Sequence, residues 1–216
     1  MANHDNGELS TDFDDENDST LCMAHKDFSA GQQYTIFYGV RANIDLLVHN
    51  GFVFESNHDD CLTLKFGISK NDALAGQKLS ILEELAIPRT GLFFMGKLPD
   101  KPLDPALMGF LRVLCLTSKD IDHYSGSPEQ IRTLIEVKMN DENVSELDKK
   151  VYQYLSTRCQ LLLKSYPTTL EQDLELLETN KNEEFGQKNY FSCLLRSKEK
   201  EMLNGAIKYC NDLIKA

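Results

Sequence analysis

Nothing in this 216-residue sequence approaches the ~20 consecutive apolar residues that a bilayer-crossing helix requires. The longest apolar stretch, Ala106 to Leu116, is broken by Gly109 and Arg112. A basic cluster is missing as well. The net charge is −11, so the Lys/Arg density that neutralises nucleic-acid phosphates or an anionic membrane surface is not there, and neither is an expected partner. No Cys-x-x-Cys pair occurs. Cys22, Cys61, Cys115, Cys159, Cys193 and Cys210 are scattered, which fits reduced thiols in a cytoplasmic or nuclear protein and offers no zinc site. The acidic run Asp14-Asp15-Glu16-Asn17-Asp18 lacks the ligand spacing and the glycine of a calcium loop, and reads as a solvated surface loop. Also absent are a Ser/His/Asp arrangement, a glycine-rich phosphate loop, a metal-type ligand cluster and an internal repeat. The polar first residues, Met-Ala-Asn-His-Asp-Asn-Gly, do not resemble a signal peptide.

What is present is ordinary for a globular chain: 41% hydrophobic and 26% charged residues. A chain of this length can bury roughly 70% of its unfolded surface and needs no disulfide or metal to fold. The first ~66 residues predict short strands and loops. Tyr34-Thr35-Ile36-Phe37-Tyr38 is rich in strand formers and ends at Gly39. Ile44 to Val48 fits one or two helical turns. Cys61 to Phe66 alternates, with Leu62, Leu64 and Phe66 on one face.

After Gly67 the period becomes helical. Ser69 with Asp72 predicts a helix start, and Leu74, Lys78, Ile81, Leu82 and Leu85 share a face up to the stop at Pro88. Asp104-Pro105 and Ser127-Pro128 each place a capping residue before a first-turn proline. Leu147 to Tyr166 keeps helical spacing until Pro167. Thr168 with Glu171 predicts a capping box, and a last helix is expected from about Glu183 to the end. The fold class is therefore α+β: a β-rich portion over residues 1–66, then an all-α domain over 67–216.

Composition and spacing alone name no chemistry. Ordered motifs do. Asn3-His4 is followed about thirty residues later by Tyr34-Thr35-Ile36-Phe37-Tyr38-Gly39. The pair resembles the two C-terminal signatures of a SET domain. Phe37-Tyr38-Gly39-Val40-Arg41-Ala42-Asn43, then His49-Asn50-Gly51-Phe52-Val53-Phe54, then Leu64 to Asp72, Ala86-Ile87-Pro88 and Phe110-Leu111-Arg112-Val113 extend the likeness over nearly the whole chain. This set resembles the SET-domain methyltransferases that modify a histidine of actin. Their helical domain is shared with the plant Rubisco lysine methyltransferase, where it binds substrate.

The resemblance implies an S-adenosyl-L-methionine-dependent protein-histidine methyltransferase with actin as protein substrate. It implies an incomplete SET portion, with Met1 an internal methionine of a longer protein and the isolated chain inactive. Cofactor contacts would come from Asn3, His4, Tyr38, Asn50, Gly51 and Phe52, with Tyr38 catalytic. Substrate contacts would come from Phe13, Ile36, Arg41 and His49, and no metal is implied. Phe13 stands where the family has a tyrosine, and Asn50 where it often has a serine. The alternatives that stay open are a protein-lysine methyltransferase and a non-catalytic module that binds actin or another partner.

Overall fold

The structure is a computed structural model and describes residues 2–24, 26–100, 103–124, 127–136, 144–179 and 186–215. The chain forms two compact units, Met1–Asp60 and Cys61–Ala216.

In the first unit, β1 (Asn3–His4) pairs in parallel with β4 (Thr35–Ile36), Asn3 opposite Thr35 and His4 opposite Ile36. Between them lies an antiparallel hairpin of β2 (Thr11–Asp14) and β3 (Ser19–Cys22). The acidic run is thus the turn of a hairpin rather than a plain loop. Asp14 closes it locally: Oδ1 accepts the backbone N–H groups of Glu16 (3.0 Å) and Asn17 (3.2 Å), and Oδ2 accepts from Asn17 Nδ2 at 2.8 Å. An aspartate bonding the backbone two residues on is a turn former of this kind. The strand expected over Tyr34–Tyr38 shortens to Thr35–Ile36. The helical turn expected at Ile44–Val48 becomes the helix α1, Asn43–Asn50. Gly51 ends α1 in the left-handed region, φ +81°, and its N–H donates to the Leu47 carbonyl at 3.1 Å. Glycine tolerates that conformation without steric cost.

The second unit begins with β5 (Leu62–Gly67), which pairs antiparallel with β6 (Thr90–Met95). The expected alternation holds, with Leu62, Leu64 and Phe66 buried. The helical region is therefore not all-α, since it carries a two-stranded antiparallel sheet. Thr90 to Met95 reads as an apolar run without alternation, and its strand character comes from its pairing. That pairing also keeps β5 with the helices, so the compact units part between Asp60 and Cys61. The strand's inner face, with Phe93 and Met95, lies on α3 (Pro105–Cys115), where the rings of Phe66, Phe93 and Phe110 sit 5.0 to 6.1 Å apart.

Helix starts follow the sequence with two shifts of position. Asp104 caps α3 as expected, accepting from the N–H groups of Ala106 and Leu107. Ser127 caps the short α5 (Pro128–Arg132), which follows α4 (Ser118–Tyr124) and leads into a 3₁₀ turn, Thr133–Ile135. The helix α2 begins later than predicted, at Ala75–Glu84, because Ser69 and Asp72 cap the turns before it. The capping box of α7 (Leu170–Thr179) lies one residue on from the expected one: Thr169 N–H donates to Gln172 Oε1 at 2.8 Å, and Gln172 N–H to Thr169 Oγ1 at 3.3 Å. The long helices α6 (Glu146–Ser165) and α8 (Gln187–Lys215) pack against each other, and α6 also packs against α3. Glu183, the predicted start of the last helix, lies outside the described residues.

Charged side chains inside this unit are paired. Lys78 lies on the apolar stripe of α2 because its ammonium is used: it donates to Asp72 and to the Leu114 carbonyl, both at 2.8 Å. Arg112 holds Asp148 with two N–H donors and caps the Leu134 and Glu136 carbonyls, tying α3 to α6 and the 3₁₀ turn. Lys200 donates to Asp173, Thr168 and the Thr169 carbonyl. Burial opposes ionisation of Asp173, but bonds from Arg196, Lys200 and Thr168 outweigh it and hold the carboxyl below its usual range.

Candidate functional site

The two signature segments meet because β1 and β4 are neighbours. Their parallel bridge is extended by the Asp5 N–H, which donates to the Ile36 carbonyl at 3.1 Å. It brings His4, at the end of β1, beside Phe37 and Tyr38, just past β4. The His4 ring is buried among four aromatic rings: Phe37 at 5.8 Å, Tyr38 at 5.3 Å, Phe52 at 6.3 Å and Phe54 edge-on at 5.0 Å. Its Nδ1 accepts the backbone N–H of Tyr38 at 3.2 Å. That bond requires an unprotonated Nδ1, so the imidazole is neutral with its proton on Nε2. Burial favours the same state: desolvation lowers the pKa of His4 against the opposing charges of Asp5 and Asp59.

Tyr38 is fixed at three points. Besides the amide bond to His4, its hydroxyl donates to the Ala2 carbonyl at 2.8 Å, and its own carbonyl accepts Arg41 Nε at 3.1 Å. A ring tethered at both ends cannot swing, which is the property a positioning group requires. Arg41 commits only Nε to that bond and makes no ion pair among the described residues. The rest of its guanidinium fork remains for a carbonyl or carboxylate.

A polar lattice under α1 sets the wall opposite His4. Asn43 is buried at 1% exposure. Its Nδ2 donates to Asp60 Oδ2 and its backbone N–H to Asp60 Oδ1, both at 2.8 Å. Its Oδ1 accepts the Phe54 N–H at 3.0 Å. Asn57 Nδ2 donates to the Arg41 carbonyl at 2.8 Å, while Asn6 bridges to Ser56 and His58. The segment carrying Phe52 and Phe54 has no regular secondary structure. These side-chain bonds hold it where a helix or sheet would use backbone bonds.

An open cleft of about 300 Å³ lies against this group, lined by Leu9, Thr11, Ile36, Phe37, Tyr38, Arg41 and Asn50. Four residues singled out by the sequence therefore come together: Ile36, Tyr38, Arg41 and Asn50. Phe52 and His4 pack behind them. Asn3 is exposed and enters through its backbone bridge, and Gly51 acts through its backbone at the helix end. Phe13 lies on the hairpin, 53% exposed, and His49 is exposed on α1; neither lines the cleft. Sequence reasoning gave no role to Leu9, Thr11, Asn43 or Asp60. Asn43 stands inside a recognised motif, and Asp60 in the polar run Asn57-His58-Asp59-Asp60.

Two hydroxyls beside the site, Ser10 Oγ and Thr35 Oγ1, are buried without a hydrogen-bond partner. An orphaned buried hydroxyl costs about 1–3 kcal/mol.

A family model described as Rubisco LSMT substrate-binding matches residues 69–214. The chain belongs to that family. The actin-histidine N-methyltransferases of Papio anubis and Homo sapiens are each 34% identical to it over 209 residues, 96% of this chain. The chain spans only 34% of the length of those relatives. Among solved structures, Rubisco LSMT bound to AdoMet superposes with a TM-score of 0.76 at 24% identity, over 99% of this chain and 49% of that one. The SET domain of LSMT bound to lysine and AdoHcy gives 0.76 at 22% identity, over 98% and 48%. The fold is thus a SET-like portion followed by a substrate-binding helical domain of the Rubisco LSMT type.

Proposed function

We propose that this chain supplies the acceptor side and one cofactor wall of an S-adenosyl-L-methionine-dependent protein methyltransferase that modifies a histidine of actin. The observation that carries the proposal is the β1–β4 bridge, which packs His4 against Tyr38 and Phe52 beside an open cleft. The names of the 34%-identical relatives support the choice of substrate.

Asn3, His4, Asn50, Gly51 and Phe52 would hold the cofactor, through the bridge backbone and aromatic faces. When bound, the cofactor supplies a methyl group activated on a sulfonium. The protein's task is then positioning, which needs no metal and no covalent enzyme intermediate. Tyr38 orients the acceptor nitrogen, and Ile36 and Arg41 seat the peptide that carries it. Phe13 and His49 would meet the substrate outside the cleft. A histidine acceptor, with an ordinary pKa of ~6.5, is largely neutral at pH 7, whereas a lysine at ~10.4 must first lose a proton. A histidine acceptor can therefore react at a site without a strong base.

Calorimetry with S-adenosylhomocysteine tests the cofactor wall. Wild-type chain is expected to bind, with affinity lost in Phe52→Ala and reduced in Asn3→Ala. Product analysis on actin, in the context of the longer protein, then decides the acceptor. Methyl-lysine in place of methyl-histidine, or actin binding with no cofactor binding, would select one of the alternatives.

A further inference from the structure

The helix α1 starts without a cap of its own. Ala42 stands at its N-cap and supplies no side-chain acceptor. The first N–H groups of a helix then need a partner from elsewhere. It comes from Asp60, seventeen residues on. Asp60 Oδ1 accepts the Asn43 backbone N–H and Oδ2 accepts Asn43 Nδ2, both at 2.8 Å. A carboxylate at this end is also favoured by the helix dipole. Two donors of one residue thus meet two oxygens of one side chain, which fixes the helix start and the orientation of the Asn43 amide together.

That orientation reaches the site along two routes. With Nδ2 held by Asp60, Asn43 Oδ1 faces the Phe54 N–H and accepts it at 3.0 Å. Phe54 lies edge-on to the His4 ring at 5.0 Å, and Phe52 lies 6.3 Å from His4 and 6.4 Å from Tyr38. The second route is the helix itself. Eight residues of α1 span roughly 12 Å. At the far end Asn50 lines the cleft and Gly51 turns the chain into Phe52. Neither Asn43 nor Asp60 lines the cleft. All of these residues belong to the first unit.

We propose that Asp60, acting through Asn43, is a positioning residue of the cofactor wall: it sets cofactor affinity by fixing α1 and the Phe52–Phe54 segment, without touching the cofactor. This rests on the cofactor wall assigned above. The donor and acceptor pattern admits one exchange. In the double variant Asn43→Asp/Asp60→Asn, the amide oxygen at position 60 accepts the backbone N–H of position 43. The amide nitrogen donates to the new carboxylate, whose other oxygen accepts the Phe54 N–H. Each single variant breaks the pattern. Asp60→Asn leaves one acceptor for two donors, and Asn43→Asp sets two carboxylates against each other.

The test is calorimetry with S-adenosylhomocysteine on the 216-residue chain, its two single variants and the double variant, with hydrogen exchange of the Phe54 amide read on the same samples. Displacing a binding group by about an ångström is enough for a large loss. The expected result is a loss of about tenfold or more in affinity for each single variant, with most of it regained in the double variant. Protection of the Phe54 amide should be lost and regained in parallel, while α6 and α8 keep theirs throughout. Single variants that bind like wild type overturn the proposal. So does a double variant in which the two losses simply add, because independent sites behave that way. Lost protection in α6 and α8 overturns it as well, by making the pair a general stability element. A wild-type chain that does not bind S-adenosylhomocysteine overturns the cofactor wall and this inference with it. Wild-type binding with unaffected variants overturns this inference alone and leaves the methyltransferase assignment standing.

Discussion

The two units of this chain are held together in different ways. Residues 61–216 enclose a continuous apolar core from the β5–β6 sheet through α3 to α6 and α8, and their buried charges are paired. Residues 1–60 bury only Ala42, Leu46 and Val53 as apolar side chains among the described residues. Burying one such group contributes about 1.5–3 kcal/mol, and ordering each residue's backbone costs about 1–2 kcal/mol. The first unit therefore depends on its hydrogen-bond lattice and aromatic cluster, and on whatever binds its cleft. Ligand-binding regions are commonly drawn from the less stable parts of a protein, and a ligand that binds only the folded form stabilises it. The difference separates a scaffold from a site.

The largest effect should come from breaking a buried pair in the scaffold. Asp173→Ala leaves the Lys200 ammonium, 1% exposed, without its carboxylate. A loss of about 3–5 kcal/mol is expected in denaturant unfolding followed by helical circular dichroism. A change below 1 kcal/mol would show that water or Thr168 satisfies the ammonium.

Next in size is the lattice of the site. Asn43→Ala removes the side-chain partners of the Phe54 N–H and of Asp60 Oδ2, at about 1–3 kcal/mol. Hydrogen exchange should speed up over residues 51–60 while α6 and α8 keep their protection. Loss of protection in both units would erase the contrast.

Tyr38→Phe removes one tether, the bond to the Ala2 carbonyl, worth about 0.5–1.5 kcal/mol. Its expected mark is a fall in kcat in the longer protein with little change in the KM for cofactor. Unchanged kcat would remove Tyr38 from the catalytic role.

The smallest effect is one of pH. Because burial lowers the pKa of His4, the unfolded chain takes up a proton more readily than the folded one. Stability of the first unit is full above the unfolded value of ~6.5 and declines as pH falls from there. Nuclear magnetic resonance of the Tyr38 amide should report the weakening, and His4→Gln should flatten it. The scaffold should show no such dependence in that range.

What could be read from the sequence follows the same division. The scaffold was legible where local rules act alone: the alternation of Leu62, Leu64 and Phe66, the Asp104-Pro105 and Ser127-Pro128 starts, and the α6 stripe. It failed at β6, whose strand character depends on pairing with a segment some thirty residues away. In the first unit, resemblance selected residues that composition could not, and Ile36, Tyr38, Arg41 and Asn50 do share one cleft. The lattice of Asn43, Asn57 and Asp60 was illegible because polar residues between short elements look alike, whether they are solvated or buried.

The most direct test is amide hydrogen exchange on the 216-residue chain with and without S-adenosylhomocysteine. The account predicts new protection confined to residues 2–60, centred on His4, Tyr38 and Phe52, with the helices of residues 61–216 unchanged. Protection that does not change anywhere, or that rises only in the helices, would contradict it.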